Sequence, residues 1–351
     1  MKRSNTICRQ GRHLSGINWG ILLFFLTGAA INAQTQNEPL AEKIRSLLHH
    51  DVCTVNALVQ TSMRFSLADD DFQGGRTFEA GNARLSVRGS LDGGFYYRLY
   101  FNVLHAPGIL DAYVGYAYSD ALQVSVGAMK PRQSLDYIPD PGSTDFIDRT
   151  TISALLVQSR EIGVAFDGRY RGLFYFAGMF NGNKLLTNNN NAFYGIGRLG
   201  YALDHVLPGT LEFALQGSHG KSEGVTSGST GPVINGERTI YGADVRWETS
   251  STLLSAEYLE GKLETAESLG DMLTISGYYV TAGYRITEQS MVLLRMQTWN
   301  AGGGVTDDVQ YTIGLNHAFT GIVSAQLNAD VFEPATGERR SGISGLLQVQ
   351  F

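Results

Sequence analysis

From Val55 onward the chain alternates apolar and polar residues with a period of two. Val55, Ala57, Val59, Thr61, Met63, Phe65 and Leu67 fall on one phase, and Asn56, Gln60, Ser62, Arg64 and Ser66 on the other. Successive side chains of a strand point to opposite faces, so this segment has one face for lipid and one for water. Further on, Ala83, Leu85, Val87 and Leu91 oppose Arg84, Ser86, Arg88 and Ser90; Phe95, Tyr97, Leu99 and Phe101 oppose Tyr96, Arg98, Tyr100 and Asn102. The pattern recurs to Phe351 in about sixteen segments, each near the ~10 residues a tilted strand needs to cross a bilayer. Short joints (DGG, SDA, TSS, TEQ, FTG) alternate with long ones such as LADDDFQGGRT and the Gly220 to Glu237 stretch. A soluble sandwich would share the alternation but not this sorting of loops by length. Short turns on the periplasmic side and long loops outside predict an all-β fold, a transmembrane antiparallel β-barrel of about sixteen strands over 55–351.

The longest connection lies between LQVSVGAMK and REIGVAF. Pro131, Pro139, Pro141 and Gly142 exclude a helix or strand through its first half. A loop far beyond the usual ~4–6 residues is functional as a rule, and this third outer loop is expected to fold into the bore and set what passes.

Charge register gives an independent check. An arginine facing lipid at mid-bilayer costs about 2–4 kcal/mol. Arg64, Arg84, Arg88, Arg98, Arg198, Arg246 and Arg295 all sit out of phase with the apolar face of their own strand. Asp111, Glu212, Asp244, Glu257 and Asp330 share the inward phase, so the expected lumen carries both signs. Phe95, Tyr97, Tyr116, Tyr118, Tyr201, Trp247 and Tyr284 lie beside short turns, and Phe65, Phe101 and Phe180 beside long loops, as two interfacial girdles would.

The first residues read differently. Lys2, Arg3, Arg9 and Arg12 precede an apolar run from Ile17 to Ile31 and a small-residue exit at Ala33, the pattern of a signal peptide over 1–33. The run is shorter than the ~20 residues of a spanning helix. Residues 34–54 are expected to form a periplasmic helical segment with Leu40, Ile44, Leu47 and Leu48 on one face. With Cys8 removed alongside the signal, Cys53 alone remains and no internal disulfide can form. A net charge of −6, lower still without the basic leader, speaks against a nucleic-acid partner.

Candidate chemistry is confined to the pore. The pore-lining, anion-binding set is Arg64, Arg84, Arg88, Arg98 and Arg198 on strands, with Lys130, Arg132, Arg149 and Arg160 in or beside the loop. Asp136, Asp140, Asp145, Asp148 and Glu161 stand against them, and opposed charges across a narrow gap make a transverse field. The plainer alternative, weighed evenly for Arg149 and Arg160, is a salt bridge pinning the loop to the wall. No cofactor is implied. His49, His50 and Asp51 point apart on a helix, and Asp69 to Asp71 read as a solvated loop, so neither is a metal site. His105, His205, His219 and His317 have no recognisable Ser and acid partner, which disfavours a hydrolase.

From about Arg84 to Tyr201 the chain resembles the phosphate-selective porin O and P family. RLSVRGSLDGGFYYRLYFN, LDAYVGY, LQVSVGAMKP, FIDRTTIS with SREIGV, and FAGMFNG followed by GRLGY match in order and spacing. The resemblance implies a sixteen-strand homotrimeric barrel with an inward third loop, and an arginine ladder where members select phosphate. Gly127 and Lys130 match the family's Gly-Gln-Phe-Lys type sequence; Ala128 and Met129 depart from it. The last strand, GLLQVQF, ends on Phe351 and is similar to the signal read by the outer-membrane assembly machinery. The expected function is an outer-membrane porin in contact with lipid, passing small hydrophilic solutes by diffusion with a bias toward anions such as phosphate. The alternatives are a non-conducting surface barrel, adhesin or structural, and, lower, a lipid hydrolase.

Overall fold

A computed structural model describes residues 48, 52–68, 70–157, 160–188, 190–204, 208–266, 271–302 and 307–351. The expected signal peptide, nearly all of segment 34–54, and His49, His50, Asp51, Asp69 and His205 lie outside the described residues. The first half of the barrel is built from β1 (Thr54–Ser66), β2 (Arg76–Ser90), β3 (Phe95–Asn102), β4 (Ile109–Ser119), β5 (Leu122–Met129), β6 (Glu161–Tyr170), β7 (Leu173–Phe180) and β8 (Tyr194–Leu203). The second half follows as β9 (Thr210–Thr226), β10 (Val233–Glu248), β11 (Thr252–Thr265), β12 (Leu273–Thr287), β13 (Ser290–Asn300), β14 (Asp308–Ala318), β15 (Val323–Glu333) and β16 (Arg340–Gln350). Each strand pairs antiparallel with its neighbours in sequence, and β1 pairs with β16, so all sixteen close into one barrel. Closure leaves no unpaired strand edge, which is what lets a sheet sit in hydrocarbon.

The barrel is apolar outside and polar inside. Val59, Val126, Leu199, Leu215 and Ile313 stand more than half exposed on the outward phase, whereas Gln60, Ser125, Gln216, Asp244, Thr312 and Asn328 are buried on the inward one. Burial in a soluble protein runs the other way. Parts of the inner wall break this rule. Ile240, Leu259, Leu263, Ile275 and Trp299 of β10–β13 turn inward and form a buried apolar cluster with Ile152 and Leu156. Those two residues belong to α1 (Thr151–Leu156), a short helix in the second half of the long loop that the proline-based reading of its first half did not predict.

Two expectations need correction. Phe180 is no girdle residue: it points inward, fully buried, stacked on Phe176 and packed with Met129, Tyr194 and Ile196. Both phases of FYF are aromatic, so side-chain type could not assign the face of β7. The Gly220 to Glu237 stretch is mostly strand, with β9 and β10 running past the bilayer-length segments and leaving 227–232 as the true tip. Its Gly- and Ser-rich composition hides the alternation; cross-strand pairing, including a Lys221–Glu237 ion pair at 3.6 Å, holds it instead.

Candidate functional site

The connection from β5 to β6, described over residues 130–157 and at 160, crosses the bore, and many of its polar groups meet the wall. At the far side Gln133 Nε2 donates to Ser218 Oγ at 2.6 Å, and the buried Glu257 carboxylate accepts from Ser134 Oγ (3.0 Å), the Leu135 amide (3.0 Å) and the Asp136 amide (3.3 Å). Returning, the loop offers its carbonyls to inward side chains. Gln60 donates to Pro141 O (3.0 Å), Gln348 to Gly142 O (3.0 Å), Gln326 to Thr144 O (2.8 Å), Asn316 to Asp145 O (2.9 Å) and Arg295 to Asp148 O (3.0 Å). Irregular backbone at membrane depth is tolerated only when satisfied in this way. Phe146 seats the middle of the segment against Leu253 and Leu293, and α1 seats its end.

Three loop carboxylates each face a wall arginine. Asp140 lies 2.9 Å from Arg98, Asp145 lies 3.0 Å from Arg246, and Asp148 takes both terminal nitrogens of Arg64 at 2.7 Å. Asp136 instead organises the loop, accepting from the Thr150 amide (2.9 Å) and Ser153 Oγ (2.6 Å). Arg149 donates to the carbonyls of Asp136 and Pro139 with its guanidinium over Tyr137. Lys130 donates to the carbonyls of Ile138 (3.1 Å) and Pro139 (2.8 Å), with Asp140 at 3.7 Å. Burial, with Arg149 close by, pushes the Lys130 amine down to about 6. Burial acts to raise Asp140, but Lys130 and Arg98 hold its carboxyl below the usual carboxylate range.

The predicted anion-binding set therefore divides. Arg160 is buried against Asp111 at 2.7 Å, Arg198 is buried in a two-point pair with Asp244, and Arg132 reaches Asp167 only at 3.5 Å with more than half its side chain exposed. Together with Arg64, Arg98 and Lys130, these have a carboxylate partner; Arg149 is held by carbonyls. Arg84 and Arg88 differ. Both lie on the inward phase of β2, Arg88 directly across from Arg98, and neither has a carboxylate partner among the described residues. Arg84 Nε donates to Asn82 Oδ1 at 2.9 Å and its guanidinium sits over Tyr100, a ring also approached by Arg98 and Arg160.

Two cavities of about 380 Å³ each flank the loop. The outer one lies along β1 and β2 and includes Arg64, Asn82, Asp148 and Arg149. The inner one lies along β5–β10 and includes Arg132, Asp167, Arg169, Phe174 and Glu212. Sequence reasoning missed the Phe174 face and the pair formed by Ser290 Oγ and His317 Nδ1 at 2.9 Å. That pair sits on adjacent strands on the lipid-facing phase, and no carboxylate among the described residues orients its ring; only the β13–β14 register could have revealed it. Among the described residues no group of three or more His, Cys, Asp and Glu is placed to hold a metal.

A closed sixteen-strand barrel with an apolar exterior, a charged bore and a loop drawn across it is the build of a bacterial outer-membrane porin. The family model described as phosphate-selective porin O and P matches residues 54–300, and the chain belongs to that family. It is an outer-membrane porin and not an enzyme. Among solved structures it is similar to an anion-selective porin from Comamonas acidovorans, with 15% identity, 85% of this chain and 99% of that one covered, and a TM-score of 0.65. An in-vitro folded OmpT of Vibrio cholerae in its trimer form matches at 14% identity over 86% and 100%, TM-score 0.60. OmpF of Salmonella typhi in complex with daunomycin matches at 11% identity over 85% and 97%, TM-score 0.60. No curated protein matches by sequence.

Proposed function

We propose that this porin passes small hydrophilic solutes by passive diffusion around its constriction loop and favours anions, phosphate among them. The observation that carries the reading is the pair Arg84 and Arg88. Arg98 and Arg160 add positive charge on the adjoining wall against Asp111 and Asp140, so the β2–β4 side of the bore keeps a cationic surplus even where Lys130 is neutral. Asn82, the partner of Arg84, also lines the outer cavity, so an anion entering there meets Arg84 and then Arg88. Arg64, Arg132, Arg149 and Arg198 contribute less to permeation in this reading because their charges are engaged. The chain is read as exported by its leader and assembled as a homotrimer; the trimer form of the Vibrio cholerae neighbour supports the latter.

The test is the reversal potential in a planar bilayer under a KCl gradient, with and without phosphate. Anion preference is expected for the wild type and should fall in Arg84→Ala and Arg88→Ala with little loss of conductance. Equal preference in both variants would remove the role of this pair. A folded barrel with no conductance would favour a bore closed by its loop, a reading that draws on the ring of wall contacts.

A further inference from the structure

We infer that the inner cavity is a binding site for small zwitterions bearing an aromatic or other apolar side chain, such as an amino acid or dipeptide. The inference rests on the porin reading and concerns a wall away from Arg84 and Arg88. The first observation is charge balance. Four arginines and four carboxylates line the cavity, so a net anion gains no surplus there, whereas a solute carrying both signs meets both. The second is how loosely two of the pairs are held. Arg132 and Asp167 are 3.5 Å apart and Arg169 and Glu212 are 3.2 Å apart, with both arginines 59% exposed, unlike the buried Arg198–Asp244 pair behind them. Exposed pairs are worth little, so a ligand carboxylate can take a guanidinium edge while its ammonium takes the released carboxylate, leaving every charge matched.

The third observation fixes the side chain. Phe174 projects inward from β7 across the bare backbone of Gly200, where an added methyl group would come within 2.2 Å of the ring. The ring is thereby laid against the wall, with Arg169 and Arg198 over it at 5.3 and 5.9 Å. Leu135, Ile138 and Pro139 of the constriction loop also line the cavity. The result is an apolar slot with ion pairs at its edges, and about 380 Å³ suits a solute of this size.

Purified full-length protein in a planar bilayer provides the test, with alanyl-phenylalanine added from the periplasmic side while the KCl current is recorded. The expected result is millimolar block, with phenylpropionate (anion only) and phenethylamine (cation only) each about 5-fold weaker. Phe174→Ala should raise the half-blocking concentration by about 5-fold, the scale of one aromatic contact, with KCl conductance as the control for folding. Arg84→Ala should leave the block unchanged. Equal block by phenylpropionate, block indifferent to Phe174→Ala and Phe174→Leu alike, or no block of a normal current would each overturn the inference alone. No current at all would take down the porin reading and this site with it.

Discussion

Arg84 and Arg198 share an inward register and the same side-chain chemistry, yet they have different surroundings. Arg198 is 6% exposed and its partner Asp244 only 2%. Removing one member of a buried pair strands the other, so Arg198→Met is expected to destabilise the barrel by about 3–5 kcal/mol, read as a lower thermal unfolding temperature in detergent. Arg84→Ala should leave that temperature nearly unchanged. The inward phase of these arginines was legible from alternation alone. Their partners were not: Asp140, Asp148 and Asp145 lie 42, 84 and 101 positions from the arginines they meet, and only the path of the loop brings them together. Lys130 adds a charge that can be tuned. With its amine pushed down to about 6, it is charged at pH 5 and neutral at pH 8. Loss of a positive charge weakens anion attraction, so the reversal potential should move toward zero as pH rises through this window. Lys130→Met should flatten that dependence.

At the scale of elements, the constriction loop is held from two directions. Its first half is bonded to inward side chains of the wall, whereas α1 is docked on apolar β10–β13 residues and capped from outside. The tip of the β9–β10 hairpin folds back so that the Ser229 and Thr230 amides donate to Ala154 O at 2.7 and 3.2 Å. Gly228 makes this approach possible: its φ is +54° and a Cβ there would fall 2.1 Å from the same carbonyl. Gly228→Val is therefore expected to lift the tip, at a cost of about 1–3 kcal/mol in backbone strain, and to loosen α1. Noisier single-channel current and faster external proteolysis within 130–160 would record it; unchanged traces would mean that the tip merely rests on the helix. Sequence signalled a functional loop through its length and prolines but gave no sign of this cap, because a hairpin tip of Ser, Gly and Thr reads like any surface turn.

For the molecule as a whole, the period-two pattern specified the barrel because one physical demand, apolar residues toward lipid on every strand, acts along nearly the whole chain. It failed where that demand lapses, as on β7, with aromatics on both faces, and on the parts of β9 and β10 that run beyond the membrane. The same demand makes a prediction about depth. Val126 is 59% exposed in the middle of β5, and Leu122 is 36% exposed at its periplasmic end. Both face outward, so the two positions differ mainly in how far from the membrane–water interface they lie. Arginine at Val126 should cost about 2–4 kcal/mol and at Leu122 about 0–1 kcal/mol, because a long side chain near the interface can carry its charge into water. Equilibrium refolding of Val126→Arg and Leu122→Arg into lipid vesicles measures the difference. A gap of that size would fix β5 against the hydrocarbon with its start at the periplasmic surface; equal costs would mean that this face lies against protein instead of lipid.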